Sequence, residues 1–206
     1  MPDISDSDKE RLIRLRTELF DRELEGLAKR LRDGTITLGM WEEDFRTRLR
    51  QFMSGIAMIS AGGPDKMTPS LWGRVGSHFK KQLKWLHDFA KDIYEKRKTV
   101  TEAAIAARSK LYAKAGGKLA VDIQAGDYRD YLTWLPKDGS TLCLNGCLCS
   151  WVQSINASSE SEKTVTSTWT LSPAEHCDTC ISRDGYVEVH VVPIGMSVPP
   201  VIGYGG

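Results

Sequence analysis

No cysteine occurs in the first 142 residues of this 206-residue chain; all five fall between positions 143 and 180. Nor does any window reach the roughly 18 apolar residues that a membrane-spanning helix needs. The best stretch, Phe52 to Ala61, is about half that length. The N-terminus, Met1-Pro2-Asp3-Ile4-Ser5-Asp6-Ser7-Asp8, is acidic and lacks the apolar segment of a secretory signal. These absences lead to the expectation of a protein made in, and acting from, a cytosol, with no membrane partner. Thiols stay reduced there, and an odd count of five suits disulfides poorly, so metal ligation is favoured.

Catalytic motifs are missing as well. The chain has no His-Glu-x-x-His, no Gly-x-x-x-x-Gly-Lys-Ser/Thr and no Gly-x-Ser-x-Gly. The zinc deaminase pattern fails too, because Pro173 lies four residues before Cys177 and no His-x-Glu or Cys-x-Glu precedes it. Glu175-His176 and Glu188-x-His190 are isolated acid–base pairs. The expectation is that the protein is not an enzyme.

What is present is an ordinary globular composition, 41% hydrophobic and 27% charged, enough to build a core. The formal net charge of +1 argues against a dedicated nucleic-acid binder, but it conceals an asymmetry. Residues 1–120 carry 24 basic and 17 acidic groups, net +7; residues 121–206 carry 4 and 10, net −6. The total is the sum of two unlike parts.

The first part reads as helices. Ser7 or Asp6 can cap a helix whose apolar positions run Leu12, Leu15, Leu19, Phe20, Leu24, Leu27 and Leu31, ending at Asp33-Gly34. Thr37 or Gly39 opens a second, with Met40, Trp41, Phe45, Leu49, Phe52 and Met53 on one face, closed by Gly62-Gly63-Pro64. Thr68-Pro69 begins a third, carrying Trp72, Val75, Phe79, Leu83, Leu86, Phe89 and Ile93. A fourth is expected from about Thr101 to Lys114. Aromatics on these stripes are expected in the core. The pattern changes after Gly116-Gly117. Asp127 to Trp134 suits a strand or a short helix, and Ser154 to Lys163 reads as a polar loop. Thr164 to Leu171 and Tyr186 to Val192 alternate as strands, the latter with Val187, Val189 and Val191 on one face. The tail from Val198 to Gly206 cannot be helical and suits an extended arm lying over a neighbour.

The cysteines form two clusters, Cys143-Leu144-Asn145-Gly146-Cys147-Leu148-Cys149 and His176-Cys177-Asp178-Thr179-Cys180. A Cys-x-x-Cys turn directs two thiolates at one ion, and Cys-x-Cys in extended chain projects two sulfurs from one face. Four of the five, Cys143, Cys147, Cys149, Cys177 and Cys180, are therefore expected to hold a structural zinc. The spacing leaves open which of Cys143, Cys147 and Cys149 is spare. His176 can substitute, although a residue so placed is more often a supporting neighbour or exposed. His78 and His87 fall in the helical part and suit structural roles. A small, Ser-, Thr- and Gly-rich unit gains little from its own core, and a metal adds folding free energy directly.

The run from Leu31 to Trp41 resembles the helix–turn–helix of tailed-phage minor head or head-morphogenesis proteins. So do Gly62-Gly63-x-x-x-Met67-Thr68-Pro69-x-x-Trp72-Gly73-Arg74-Val75-Gly76, Trp85-Leu86-x-x-Phe89-Ala90 and Arg108-x-x-x-Tyr112-Ala113. Thr141-x-Cys143-Leu144-Asn145-x-Cys147-x-Cys149 and Trp169 to Cys180 are similar to the cysteine-rich ends of the phage Mu minor head protein family. Here the Cys-x-Cys element precedes the Cys-x-x-Cys element, the reverse of the order expected in that family. The resemblance implies a virion structural protein, present in the host cytoplasm during assembly. Its partners would be capsid, portal or connector proteins and copies of itself, and no catalytic residues come with it.

The fold expected is α+β: a helical bundle or elongated helical array over 1–118, then a small β-rich, zinc-stapled module over 119–206 with an extended C-terminal arm. The alternative function is a cytosolic zinc module contacting nucleic acid through Lys80, Lys81, Lys84, Lys96, Arg97 and Lys98.

Overall fold

The computed structural model describes residues 4–96, 99–143 and 147–203. The architecture is α+β: helices first, then a four-stranded antiparallel sheet. The chain divides into two compact units, Met1–Leu119 and Ala120–Gly206, with the boundary inside a helix.

Helix α1 spans Asp6–Arg32, α2 Leu38–Ala61, α3 Pro69–Glu95 and α4 Glu102–Ala125. Their starts follow side-chain capping. Ser5 accepts from the Asp8 amide, one position before Asp6 and two before Ser7, the caps expected. Thr37 accepts from Met40 N, and Thr68 from Leu71 N with Pro69 at the first helical position. Gly62 ends α2 in the left-handed region at φ 91°, a conformation that a residue with a Cβ adopts at a cost.

All four helices contribute to one aromatic core. Phe20 of α1 stacks on Phe52 of α2 at 4.2 Å, and Trp41 of α2 meets Phe89 of α3 edge-on at 5.2 Å. Phe45 meets Tyr112 of α4 at 4.9 Å. Two expectations need correcting here. Trp72 lies on the apolar stripe of α3 yet is 42% exposed, because it precedes Val75, where the buried part of that stripe begins. Helix α4 does not stop near Lys114 but runs eleven residues further, through Gly116-Gly117, to Ala125. Gly116 packs against the buried ring of Phe52 so closely that a Cβ there would sit 2.5 Å from Cζ. It is a close-approach glycine within the helix. Among the described residues, no helix is long and apolar enough to cross a membrane.

In the second unit, a 3-10 turn at Gly126–Tyr131 follows α4, so the ambiguous segment is a short helix as far as Tyr131 and turns extended at Leu132. Strands β1 Ser150–Ser158, β2 Glu162–Thr170, β3 Val187–Pro193 and β4 Val201–Gly203 pair in the order β3-β2-β1-β4, with a short helix α5 at Asp178–Arg183. The segment read as a polar loop, Ser154 to Lys163, is instead the end of β1, a tight turn and the start of β2. Ser159 N donates to Glu162 O at 2.7 Å, closing that turn. The expected arm also differs, since Val201–Gly203 pairs with this chain's own β1. Tyr204 to Gly206 lie outside the described residues.

One sheet face packs over Val121, Ala125, Tyr128, Leu132 and Leu135 and buries Trp151, Val165, Trp169, Val192 and Ile202. Directly opposed residues share a face, so the inward Lys163, Val165 and Ser167 of β2 bring Val192, His190 and Glu188 of β3 inward with them. Val187, Val189 and Val191 do share one face, but it is the outer one, at 49–60% exposure. Glu188 Oε2 accepts from Thr133 N at 3.3 Å and from His190 Nε2 at 3.1 Å. Beside them Tyr128 and Ser167 hydroxyls share a buried bond of 2.8 Å.

Candidate metal centre

Three chain segments supply the sulfurs. Cys143 lies in the segment after Leu135, which is braced by Asp138, whose carboxylate accepts from Leu135 N at 2.9 Å and Ser140 N at 2.7 Å. Cys147 and Cys149 lie immediately before β1, and both are buried. Cys177 is the N-cap residue of α5, and Cys180 sits one turn on, fully buried. Arg183 joins two of these segments: its guanidinium donates to Ser140 Oγ at 3.0 Å and to Ser140 O at 3.1 Å. That guanidinium also lies 4.1 Å over the Trp134 ring, beside Trp151 and Trp169.

All five cysteines are free thiols, and the fold gathers them with His176 into one cluster. Cys143 Sγ lies 3.4 Å from Cys177 Sγ and 3.4 Å from Cys180 Sγ; Cys147 Sγ lies 3.7 Å from Cys180 Sγ. A disulfide would need about 2.05 Å. Four thiolates on zinc, each bonded at about 2.3 Å, sit at tetrahedral corners about 3.8 Å apart. Cys143, Cys147 and Cys180 are mutually close enough to occupy three such corners and could hold a metal ion, while Cys177 touches Cys143 from outside that trio.

His176 joins the cluster through its ring. Nε2 lies 2.7 Å from Ser172 O, and a carbonyl only accepts, so the ring proton is on Nε2. Nδ1 then presents a lone pair, 3.5 Å from Cys149 Sγ. A backbone carbonyl holding the far nitrogen is the usual support of a metal-ligating histidine. The side chain counted as a neighbour on spacing alone is therefore a donor by geometry.

The thiols do not titrate alike. Burial raises Cys149 to about 12, with the neighbouring Cys147 adding to the rise. Burial likewise raises Cys180 well above an ordinary thiol. Cys177 is also penalised by burial, but the Cys180 and Cys143 backbone amides and the neighbouring thiols outweigh that and hold it at about 6.

The other candidate groups fall elsewhere. His78 and His87 belong to the helical unit, where His87 Nδ1 is 3.9 Å from Glu42 Oε1. Lys80, Lys81, Lys84 and Lys96 are exposed, while Arg97 and Lys98 lie outside the described residues, as do Leu144, Asn145 and Gly146 of the first cysteine run. The Glu188–His190 pair, isolated in the sequence, is the polar floor of the sheet. Its only sequence signal was the Glu-x-His spacing within an alternating strand, and that spacing says nothing about which face is buried. No family model, curated protein or solved structure matches the chain.

Proposed function

We propose that this chain is a structural, non-enzymatic component of a tailed-phage particle, of the minor head or head-morphogenesis kind. Its C-terminal unit is held together by a zinc ion on the thiolates of Cys143, Cys147, Cys177 and Cys180. The observation that carries the zinc is the set of sulfur separations of 3.4–3.7 Å between free thiols drawn from distant segments. Thiolate sulfur selects a soft or borderline ion, and a four-sulfur tetrahedron is a closed, structural site.

The phage reading rests on the motif resemblance and on the division of charge, +7 in residues 1–120 against −6 in 121–206. Opposite net charges on the two parts of the chain suit contacts between copies or with capsid, portal or connector proteins. Four thiolates around Zn²⁺ would make the second part more negative still. The particle is the site of action and the host cytoplasm the site of assembly. Mass spectrometry of purified virions should find the protein in several copies, and its absence from the particle would overturn the assignment. Protein purified under reducing conditions should carry zinc that Cys177→Ser or Cys180→Ser releases. A metal-free chain with an intact sheet would remove the zinc.

A second reading, nucleic-acid contact, is favoured by one observation: Lys80, Lys81 and Lys84 stand exposed on α3 near the 56%-exposed Trp85. Its affinity for DNA would fall steeply with rising salt, and salt-independent binding would dismiss it.

A further inference from the structure

We infer that the cluster is a two-metal centre, in which Cys180 bridges a four-sulfur zinc to a second ion held by Cys149 and His176. The inference rests on the structural-zinc reading and extends it.

The donors fall into two mutually close groups. Cys143, Cys147 and Cys180 form one, and Cys149, His176 and Cys180 form the other, each with its donor atoms within 4.8 Å of one another. Only Cys180 belongs to both. A single tetrahedral ion takes four donors and would leave two of the six, one of them the buried thiol of Cys149, beside a metal they do not bind. Two ions use all six. Cys177 lies outside that mutually close trio but 3.4 Å from Cys143, and a small shift of its side chain would supply the fourth sulfur. The second set has two sulfurs and one nitrogen, and a solvent molecule would occupy its fourth position.

Three details favour the second ion. The Cys149–His176 separation of 3.5 Å is the sulfur–nitrogen edge of a tetrahedron with bonds of about 2.3 and 2.0 Å, which comes to about 3.5 Å. Ser172 O fixes the tautomer that leaves Nδ1 bare toward Cys149. Charge is in keeping: four thiolates around one Zn²⁺ leave a net −2 in a buried site, whereas five thiolates around two Zn²⁺ leave −1, and uncompensated buried charge is costly. Cys180 is fully buried, and bridging two cations would balance its thiolate there.

The test is metal stoichiometry on the full chain. The reduced protein is loaded with Zn²⁺ or Co²⁺, freed of excess ion and analysed by elemental mass spectrometry. Two ions per chain are expected. In the Co²⁺ titration the two equivalents should give distinct absorption bands, because one ion has four sulfurs and the other two sulfurs and a nitrogen. His176→Ala, at a half-buried position, should retain the helical and sheet circular dichroism and drop the stoichiometry from two to one, losing only the band of the mixed-ligand ion. Cys149→Ser should do the same. Wild-type protein that saturates at one ion overturns the second site and leaves the structural zinc standing. Two ions that persist in His176→Ala overturn the assignment of the ligands. Protein that binds neither metal removes both readings together.

Discussion

The helical unit buries Phe20, Trp41, Phe45, Phe52 and Phe89 in contact with one another, and holds no cysteine. The C-terminal unit is smaller and buries Trp151 and Trp169 together with Cys147, Cys149 and Cys180 in a single cluster. Large aromatic surface stabilises both units, but only the second places reactive sulfur at its centre. Four helices of 24 to 27 residues close a core around themselves. A four-stranded sheet of short strands has one face to bury and must fasten the loops at its end by other means. The comparison teaches that one chain can stabilise adjacent units by separate devices, and that each should then fail separately.

Metal removal is the largest test of that difference. Chelation under reducing conditions should unfold residues from about 126 onward, read as lost amide protection in β1 to β4, while protection in α1 to α3 persists. Simultaneous loss in both units would show that the metal is not confined to the second. Next in size are the tryptophans. Trp151→Ala and Trp41→Ala each remove a fully buried ring and should cost about 3–5 kcal/mol. In denaturant titrations followed by residue-resolved hydrogen exchange, the first should lower the sheet alone and the second the helices alone.

A smaller effect is expected at Gly116. A methyl group there must displace Phe52, whose ring is pinned against Phe20, a cost of about 1–3 kcal/mol. The gain in helix propensity is about 1 kcal/mol, so Gly116→Ala should lower the helical unit by about 1 kcal/mol net. Stabilisation would show that α4 is loosely packed there. The smallest effect is electrostatic. The Arg108 guanidinium bonds to Asp92 and holds its carboxyl below the ordinary carboxylate value, while also lying 4.5 Å over the Phe89 ring. A carboxyl depressed by folding stabilises above its unfolded value, near pH 4, and that contribution is lost as pH falls through the folded value. Arg108→Ala should therefore flatten the acid limb of the helical unit's melting curve; an unchanged limb would assign the acid sensitivity elsewhere.

The helices were the most legible part. Their periodicity, the caps at Thr37 and Thr68 and the stop at Gly62 are all local effects, and the structure repeats them within a residue or two. Gly116-Gly117 misled because a glycine that ends a helix and one that admits a neighbouring ring look alike in one dimension. The serine-rich segment from 154 onward was opaque for a related reason. Ser and Thr suit a loop when alone and a strand when a partner pairs their backbone, and the partner here is the adjacent β2. The cysteines were legible as metal-ligand types, but His176 was not, since a residue next to a ligand can point either way.

Residue identity and local spacing were sufficient for the α+β order, the helix limits at most ends, the split of charge and the thiol chemistry, because each depends on near neighbours along the chain. Tertiary structure alone decided which face of β3 is buried, that the tail closes the sheet's edge at β4, and that one histidine nitrogen joins the sulfurs. Each of these depends on backbone pairing or packing between distant segments, where a shift of one residue reverses the outcome.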